Sequence, residues 1–331
     1  MRRLFSASLF ALVYFVCLQA TALATTPCDF DGDGMSELVV VNLNDHGTYD
    51  WTAFNPRLLS SRIIAQSLGS PVSKLIPGNW IDRGKAIAAI VDPVGPRASD
   101  RATWTVKSID YLGGVAVSKN LGRSGDIIIQ GGDYDGNGIT DSLILKRTTG
   151  MLGLRVNYFL SGYNGNNLGR ERLYKALGSP FRDKNFFFSP DGRSDYLAVL
   201  QRRGAAYRAL LLKPFTDSPQ VFDVGTLPGG VHVPWVMKQG PGRADLLAFS
   251  TVRGGETQIV VKSLAGREIY RSRAPGTDGV SVGDFLSDPG WEIGIENGET
   301  VTIINPLTRV SRSVTRPPGK MVRCISNQTI K

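Results

Sequence analysis

The chain has 331 residues, 42% hydrophobic and 20% charged, with 38 Lys and Arg against 29 Asp and Glu for a formal charge of +9. That is enough chain for one large core or two small ones. The only histidines, His46 and His232, lack zinc-type spacing, and no later segment is a continuous apolar run of membrane-spanning length, which argues against a zinc enzyme and a helical membrane domain.

Residues 1–24, MRRLFSASLFALVYFVCLQATALA, carry Arg2 and Arg3, an apolar stretch, and Ala22-Leu23-Ala24 as a small-x-small cleavage site. They are expected to be a cleaved signal peptide, with the protein exported to the periplasm or the extracellular medium. Val16 before Cys17 is too bulky for lipoprotein cleavage. Loss of these 24 residues, Arg2 and Arg3 among them, leaves 307 residues, a charge of +7, and two cysteines, Cys28 and Cys324.

The next segment, CDFDGDGMSELVVVN, places Asp29, Asp31, Asp33 and Glu37 at loop positions one, three, five and nine, with Gly34 at position six. An EF-hand needs a carboxylate at position twelve followed by a helix. Position twelve is Val40, inside a β-branched run that reads as a strand. The loop keeps the oxygen-rich donor set that suits a hard cation. A solvated acidic turn is the alternative.

The loop recurs. GGDYDGNGITDSLILKR, residues 131–147, gives Asp133, Asp135, Asn137, Gly138 and Asp141 at the matching positions, again before a strand. Fainter copies follow the same frame: GNWIDRGKAIAAIV with Gly84, FFSPDGRSDYLAVL with Asp191, Gly192 and Asp195, KQGPGRADLLAF with Gly242 and Asp245, and GDFLSDPGWEIGI with Asp284, Asp288 and Glu292. Position nine falls at 37, 87, 141, 195, 245 and 292, in steps of 50, 54, 54, 50 and 47. Six units fill residues 25–331, at about 28–77, 78–131, 132–186, 187–236, 237–282 and 283–331.

Each unit reads as four short strands, in the first at about 38–43, 48–54, 60–66 and 72–78. Four strands repeating every 45–55 residues predict an all-β fold, a single β-propeller of six four-stranded blades, with seven as the alternative. The strand after each loop is apolar on both faces, as in LVVV, AIAAIV and LLAF, and is expected to be innermost. Trp51 and Trp104, on equivalent second strands, are expected to fill the space between blades.

These motifs (DFDGDGMSEL, DYDGNGITD and LGSPVSKLIPGNW) resemble the FG-GAP and VCBS-type repeats of secreted bacterial propellers and the calcium loops of integrin alpha-subunits. The resemblance spans all six units, with a full metal signature only in the first and third. It implies structural calcium held by Asp29, Asp31, Asp33 and Glu37, and by Asp133, Asp135, Asn137 and Asp141, with the Met35 and Ile139 carbonyls completing each shell. It also implies that the metal loop joins the outer strand of one blade to the inner strand of the next. The second unit, with Asn79, Ile81, Arg83 and Ile87 at the four ligand positions, cannot hold calcium, and Arg83 is expected to supply charge there.

No catalytic set is expected, since no nucleophile elbow, P-loop or dinucleotide fingerprint occurs. Cations recur past the post-loop strand, at Lys146, Arg147, Arg202, Arg203 and Arg253, on the face away from the loops. Either they form a solvated rim or they bind an anionic polysaccharide. Nucleic acid is disfavoured, because no aromatic-basic stacking motif appears. The expected function is a calcium-binding propeller acting as a binding or adhesion module for an anionic surface glycan or a cell-surface protein, and the alternative is a lyase-like carbohydrate-active enzyme. Cys28 precedes loop position one, and GKMVRCIS around Cys324 resembles the strand that leads into each loop, so the two are expected to form a disulfide that closes the ring.

Overall fold

The computed structural model describes residues 26–80, 84–93, 101–107, 115–123, 126–149, 156–163, 171–178, 184–213, 220–227, 232–239, 242–276, 279–323 and 328–329. The expected signal peptide, Arg83 and Cys324 lie outside these residues. Among the described residues every regular element is a strand.

The first sheet contains β1 (Leu38–Leu43), β2 (Tyr49–Asn55) and β3 (Ser60–Ala65). The second holds β4 (Lys74–Leu75), β5 (Ala88–Pro93), β6 (Arg101–Lys107) and β7 (Val115–Arg123). The third holds β8 (Ile127–Gly132), β9 (Asp141–Thr149), β10 (Val156–Tyr163) and β11 (Glu171–Gly178). The fourth holds β12 (Lys184–Phe188), β13 (Tyr196–Arg203), β14 (Ala206–Leu212) and β15 (Gln220–Thr226). The fifth holds β16 (Val233–Met237), β17 (Leu246–Arg253), β18 (Glu256–Lys262) and β19 (Glu268–Pro275). The sixth holds β20 (Gly279–Gly283), β21 (Glu292–Asn297), β22 (Thr300–Ile304) and β23 (Ser311–Thr315). Two late strands remain, β24 (Lys320–Val322) and β25 (Gln328–Thr329).

The sheets are the blades of a single β-propeller. β24 adds to the first sheet beside β1, in the register Val39↔Val322 and Val41↔Lys320. It completes that sheet from the far end of the chain instead of starting another. β25 departs from the four-strand expectation by pairing with the free edge of β12, Lys184↔Thr329 and Asn185↔Gln328. An unpaired strand edge is a row of donors and acceptors, and this segment satisfies part of it.

Two expectations are corrected. The apolar runs beginning at Leu38, Ala88, Ser142, Tyr196, Leu246 and Ile293 lie in the second strands of their sheets, not the innermost. The first strands of neighbouring sheets, β12, β16 and β20, meet one another and so lie nearest the axis. From the second sheet to the sixth, each loop therefore joins the first and second strands of one sheet, not the outer strand of one blade to the inner strand of the next. The first loop leads into β1, whose neighbour β24 comes from the far end of the chain. The second strand is apolar on both faces because a neighbouring blade covers each face. In β1, Val39 and Val41 pack with Ala88 and Ile90 of the second sheet. Leu38 and Val40 pack with Val301 and Ile303 of the sixth. Period-two alternation thus sends successive side chains into two different cores. Trp51 and Trp104 are buried between blades as expected, Trp51 donating its indole N–H to the Leu68 carbonyl at 2.9 Å.

Candidate metal centre

In the first loop the backbone wraps around its own carboxylates. Asp29 accepts the Gly32 N–H on Oδ1 at 2.6 Å and the Gly34 N–H on Oδ2 at 2.9 Å. Asp31 accepts the Asp33 N–H at 3.0 Å, and Asp33 accepts the Met35 N–H at 2.8 Å. Glu37 reaches back to accept the Phe30 N–H on Oε2 at 2.7 Å. Gly32 and Gly34 take φ of 83° and 86°, a left-handed conformation that disfavours side chains and lets the chain fold this tightly. One carboxylate oxygen from each of Asp29, Asp31, Asp33 and Glu37 lies within 4.8 Å of the others.

The third loop repeats this frame. Asp133 accepts the Gly136 and Asn137 N–H groups on Oδ1 and the Gly138 N–H on Oδ2, at 2.9–3.0 Å. Asn137 accepts the Ile139 N–H at 2.7 Å, as Asp33 accepts that of Met35. Asp141 accepts the Tyr134 N–H at 2.9 Å, and Asp133, Asp135 and Asp141 converge within the same 4.8 Å limit. Both clusters are acidic groups that could hold a metal ion, and their all-oxygen donor sets suit a hard cation.

The electrostatics agree with that use. Burial, reinforced by neighbouring carboxylates, pushes Asp29 up to about 6 and Glu37 to about 8, and burial and then the Asp195 charge push Asp133 to about 7. These groups resist ionisation unless a positive charge joins them. Glu37 is 3% exposed, and its Oε1 has no hydrogen-bond partner. Arg57 reaches only the outer oxygen of Asp33, at 3.4 Å from an exposed position.

The loops also bind blade to blade. The Ala86 N–H donates to the Asp29 carbonyl at 2.7 Å, Thr140 to Asn79 at 2.9 Å, Asp195 to Asp133 at 2.6 Å, Asp245 to Ser189 at 3.1 Å, and Ser36 to Asp284 at 2.7 Å. Each bond joins one sheet to the sheet before it, and the last joins the first sheet to the sixth. Two seams add a hydroxyl that accepts the return N–H: Asn79 donates to Thr140 Oγ1 at 2.8 Å and Asp284 to Ser36 Oγ at 2.9 Å. That hydroxyl needs the residue before position one to be small. A Cβ on Gly78 would lie 2.9 Å from Thr140 Oγ1, and one on Gly283 would lie 2.5 Å from Ser36 Oγ. Cys28 occupies the equivalent place in the first loop, where the second blade offers Ala86 in the same apolar cluster.

The remaining loops meet their charges differently. In the sixth, the Phe285 and Leu286 N–H groups donate to Glu292 Oε2 at 2.8 and 3.2 Å, and the Asn305 side-chain amide donates to Oε1 at 3.0 Å. Gly290, not Pro289, supplies the positive φ, at 87°. In the fourth and fifth, position one is Phe187 or Met237, and the Lys238 ammonium touches Asp195 and lies 3.1 Å from Asp245 Oδ2. Sequence reasoning missed Lys238, Asn305 and the seam hydroxyls. The signal available was a lysine at position two of a unit lacking the position-one acid.

Of the basic residues, Arg202 and Arg203 end β13 and Arg253 ends β17, all exposed at the face opposite the loops. Lys146 and Arg147 do not lie past their strand. They sit within β9, opposite Phe159 and Tyr158, because β9 continues to Thr149. Their side chains lie outside what is described.

No family model matches the chain, and no curated protein matches it. Among solved structures the chain is similar to the rhamnogalacturonan lyase YesW, with a TM-score of 0.36 and 10% identity, covering 86% of this chain and 60% of that one. The chain thus spans less than two thirds of that protein's length. The propeller assignment rests on the chain's own sheet topology.

Proposed function

We propose that this protein is an exported β-propeller of FG-GAP/VCBS type, stabilised by calcium in its first and third loops, which acts as a binding or adhesion module for an anionic surface glycan. The observation that carries the reading is the buried, unpartnered Oε1 of Glu37 within a convergent four-carboxylate loop. Leaving such an oxygen without a partner costs about 1–3 kcal/mol, more when charged, and a coordinated cation removes that cost. The carbonyls of Met35 and Ile139 add neutral oxygens to the two shells. The glycan assignment is supported by the exposed Arg202, Arg203 and Arg253 on the face that the metal loops leave free.

The test uses the mature chain on immobilised polygalacturonate and dextran sulfate, with neutral dextran as control. Charge reversal at Arg202, Arg203 and Arg253, together with Lys146 and Arg147, should abolish retention on the acidic polymers while leaving the melting temperature in place. Equal retention of variant and wild type would return these residues to the solvated rim. Release of unsaturated products from polygalacturonate would instead favour a lyase.

Ring closure by a Cys28–Cys324 disulfide belongs to the same reading. The β24–β1 ladder includes Val39↔Val322, two residues before Cys324 in sequence, and the Cys28 carbonyl accepts the N–H of Glu37, two residues before Val39, at 2.9 Å. A crosslink closing a loop of that length contributes roughly 4–5 kcal/mol in the chain-entropy account. A linked Cys28–Cys324 peptide in the non-reduced digest is expected, and two alkylatable thiols would refute it.

A further inference from the structure

The charged groups of the fourth and fifth loops form a closed set. Lys238 follows Met237, the last residue of β16, and its side chain is 19% exposed. Its Nζ donates to Ser189 Oγ at 2.8 Å, touches Asp195 Oδ1 and lies 3.1 Å from Asp245 Oδ2. Ser189 and Asp195 are positions three and nine of the fourth loop, which are two of the four side-chain ligand positions in the first and third loops. Asp245 is position nine of the fifth.

We propose that the Lys238 ammonium is a built-in counter-ion, standing in the fourth loop where the first and third loops hold a free cation and making this seam independent of dissolved metal. The proposal rests on the calcium reading above for its comparison, and on the contacts of Lys238 for its substance.

Three considerations carry it. The first is stoichiometry. An ammonium offers three N–H donors and no acceptor, and three oxygens surround this one. The second is the composition of the loop. Position one is Phe187, so the loop lacks the carboxylate around which the first and third loops wrap, and the neutral Ser189 stands at position three in place of their aspartates. Ser189 and Asp195 give the amine two oxygens and Asp245 of the next blade gives the third, so the ammonium takes up the oxygens that a metal ion would otherwise draw on. The third is charge. Burial opposes protonation of Lys238, yet the Asp195 and Asp245 carboxylates outweigh it and hold the amine above its ordinary pKa. The same amine lowers Asp245, whose burial nevertheless raises it to about 6. Asp195 also accepts the Asp133 N–H at 2.9 Å, so the tethered charge abuts the third loop directly.

A tethered cation has no concentration dependence, whereas a free one stabilises only by mass action. Removing the amine should therefore convert the seam from metal-independent to metal-responsive. The experiment compares the mature wild type with Lys238→Met and Lys238→Arg, measuring bound calcium per chain and melting temperature in calcium and in EDTA. Lys238→Met should bind one more ion than wild type, whatever wild type binds, and its melting temperature should depend more steeply on calcium. Adding Asp195→Asn should remove that extra ion, and Lys238→Arg should behave as wild type. A folded Lys238→Met with unchanged stoichiometry overturns the proposal, as does a variant that folds in neither calcium nor EDTA. A wild type that binds no ion sinks the calcium reading instead, and the difference between variant and wild type still decides the role of Lys238.

Discussion

The first and fourth loops share one frame and differ in their source of positive charge. In the first, an acid at every side-chain ligand position leaves four carboxylates that the loop's own side chains do not neutralise, and one oxygen buried without a partner. In the fourth, Phe187 replaces the position-one acid, and a single ammonium from the next blade meets Ser189 and Asp195. The sixth gives a third outcome, in which the Asn305 amide contacts Glu292 without cancelling its charge. The fourth loop lacks an acid at position one, whereas the first and sixth both have one, Asp29 and Asp284, and differ at position three, Asp31 against Leu286. A propeller seam needs its loop carboxylates held, and the means of holding them varies from blade to blade.

The largest test of this contrast is metal removal. Each occupied loop should contribute about 2.7 kcal/mol when free calcium exceeds the dissociation constant a hundredfold. Melting in calcium and in chelator measures it, with Asp31→Ala and Asp135→Ala each expected to remove part of the difference. Equal melting in both buffers would leave the first and third loops no different from the fourth.

A middle-sized effect is expected at the seam beneath the first loop. Gly283→Ala would bring a Cβ 2.5 Å from Ser36 Oγ and 2.7 Å from Ser36 Cβ. Overpacking of this kind costs typically 1–3 kcal/mol, read as a lower urea midpoint at unchanged slope. A midpoint equal to wild type would show that the hydroxyl latch is dispensable.

The smallest effect separates the amide solution from the ammonium one. Burial pushes Glu292 up from 4.5 to about 7, with the Phe285, Leu286 and Asn305 donors working against the rise. The folded state then holds this proton more tightly than the unfolded chain does. Its contribution is fully present below about 4.5 and is lost as pH rises through 7. Glu292→Gln should flatten the fall in stability across that window. An identical slope in variant and wild type would place the titration elsewhere.

The repeat, the four-strand unit and the two acidic loops were legible because they are local. Period-two alternation, Asp-x-Asp spacing and a glycine at position six all fall within fifteen residues. What was not legible is relational. Lys238 lies forty-three residues beyond Asp195, outside any such window, and Asn305, thirteen beyond Glu292, comes beside it only through the pairing of β21 with β22. The innermost strand was misplaced for a related reason. Hydropathy reports that both faces of Leu38–Val41 are covered, but not whether the axis or a neighbouring strand lies at the edge. The seam hydroxyls Ser36 and Thr140 look like ordinary loop residues until the preceding blade is placed beside them.

The pairing of β24 with β1 has a consequence for when the molecule can finish folding. It joins Val39 to Val322, a separation of 283 residues. Loop-closure entropy for a flexible chain of that length amounts to about 5 kcal/mol before any constant term. The first blade is thus the earliest to be synthesised and the last to be completed. Until β24 arrives, β1 presents a bare edge to every other chain present. Nothing in three residues of antiparallel ladder distinguishes a chain's own β24 from that of a neighbour. At high concentration rings should therefore close in trans, giving swapped dimers and longer concatemers, while dilute refolding should favour the monomer.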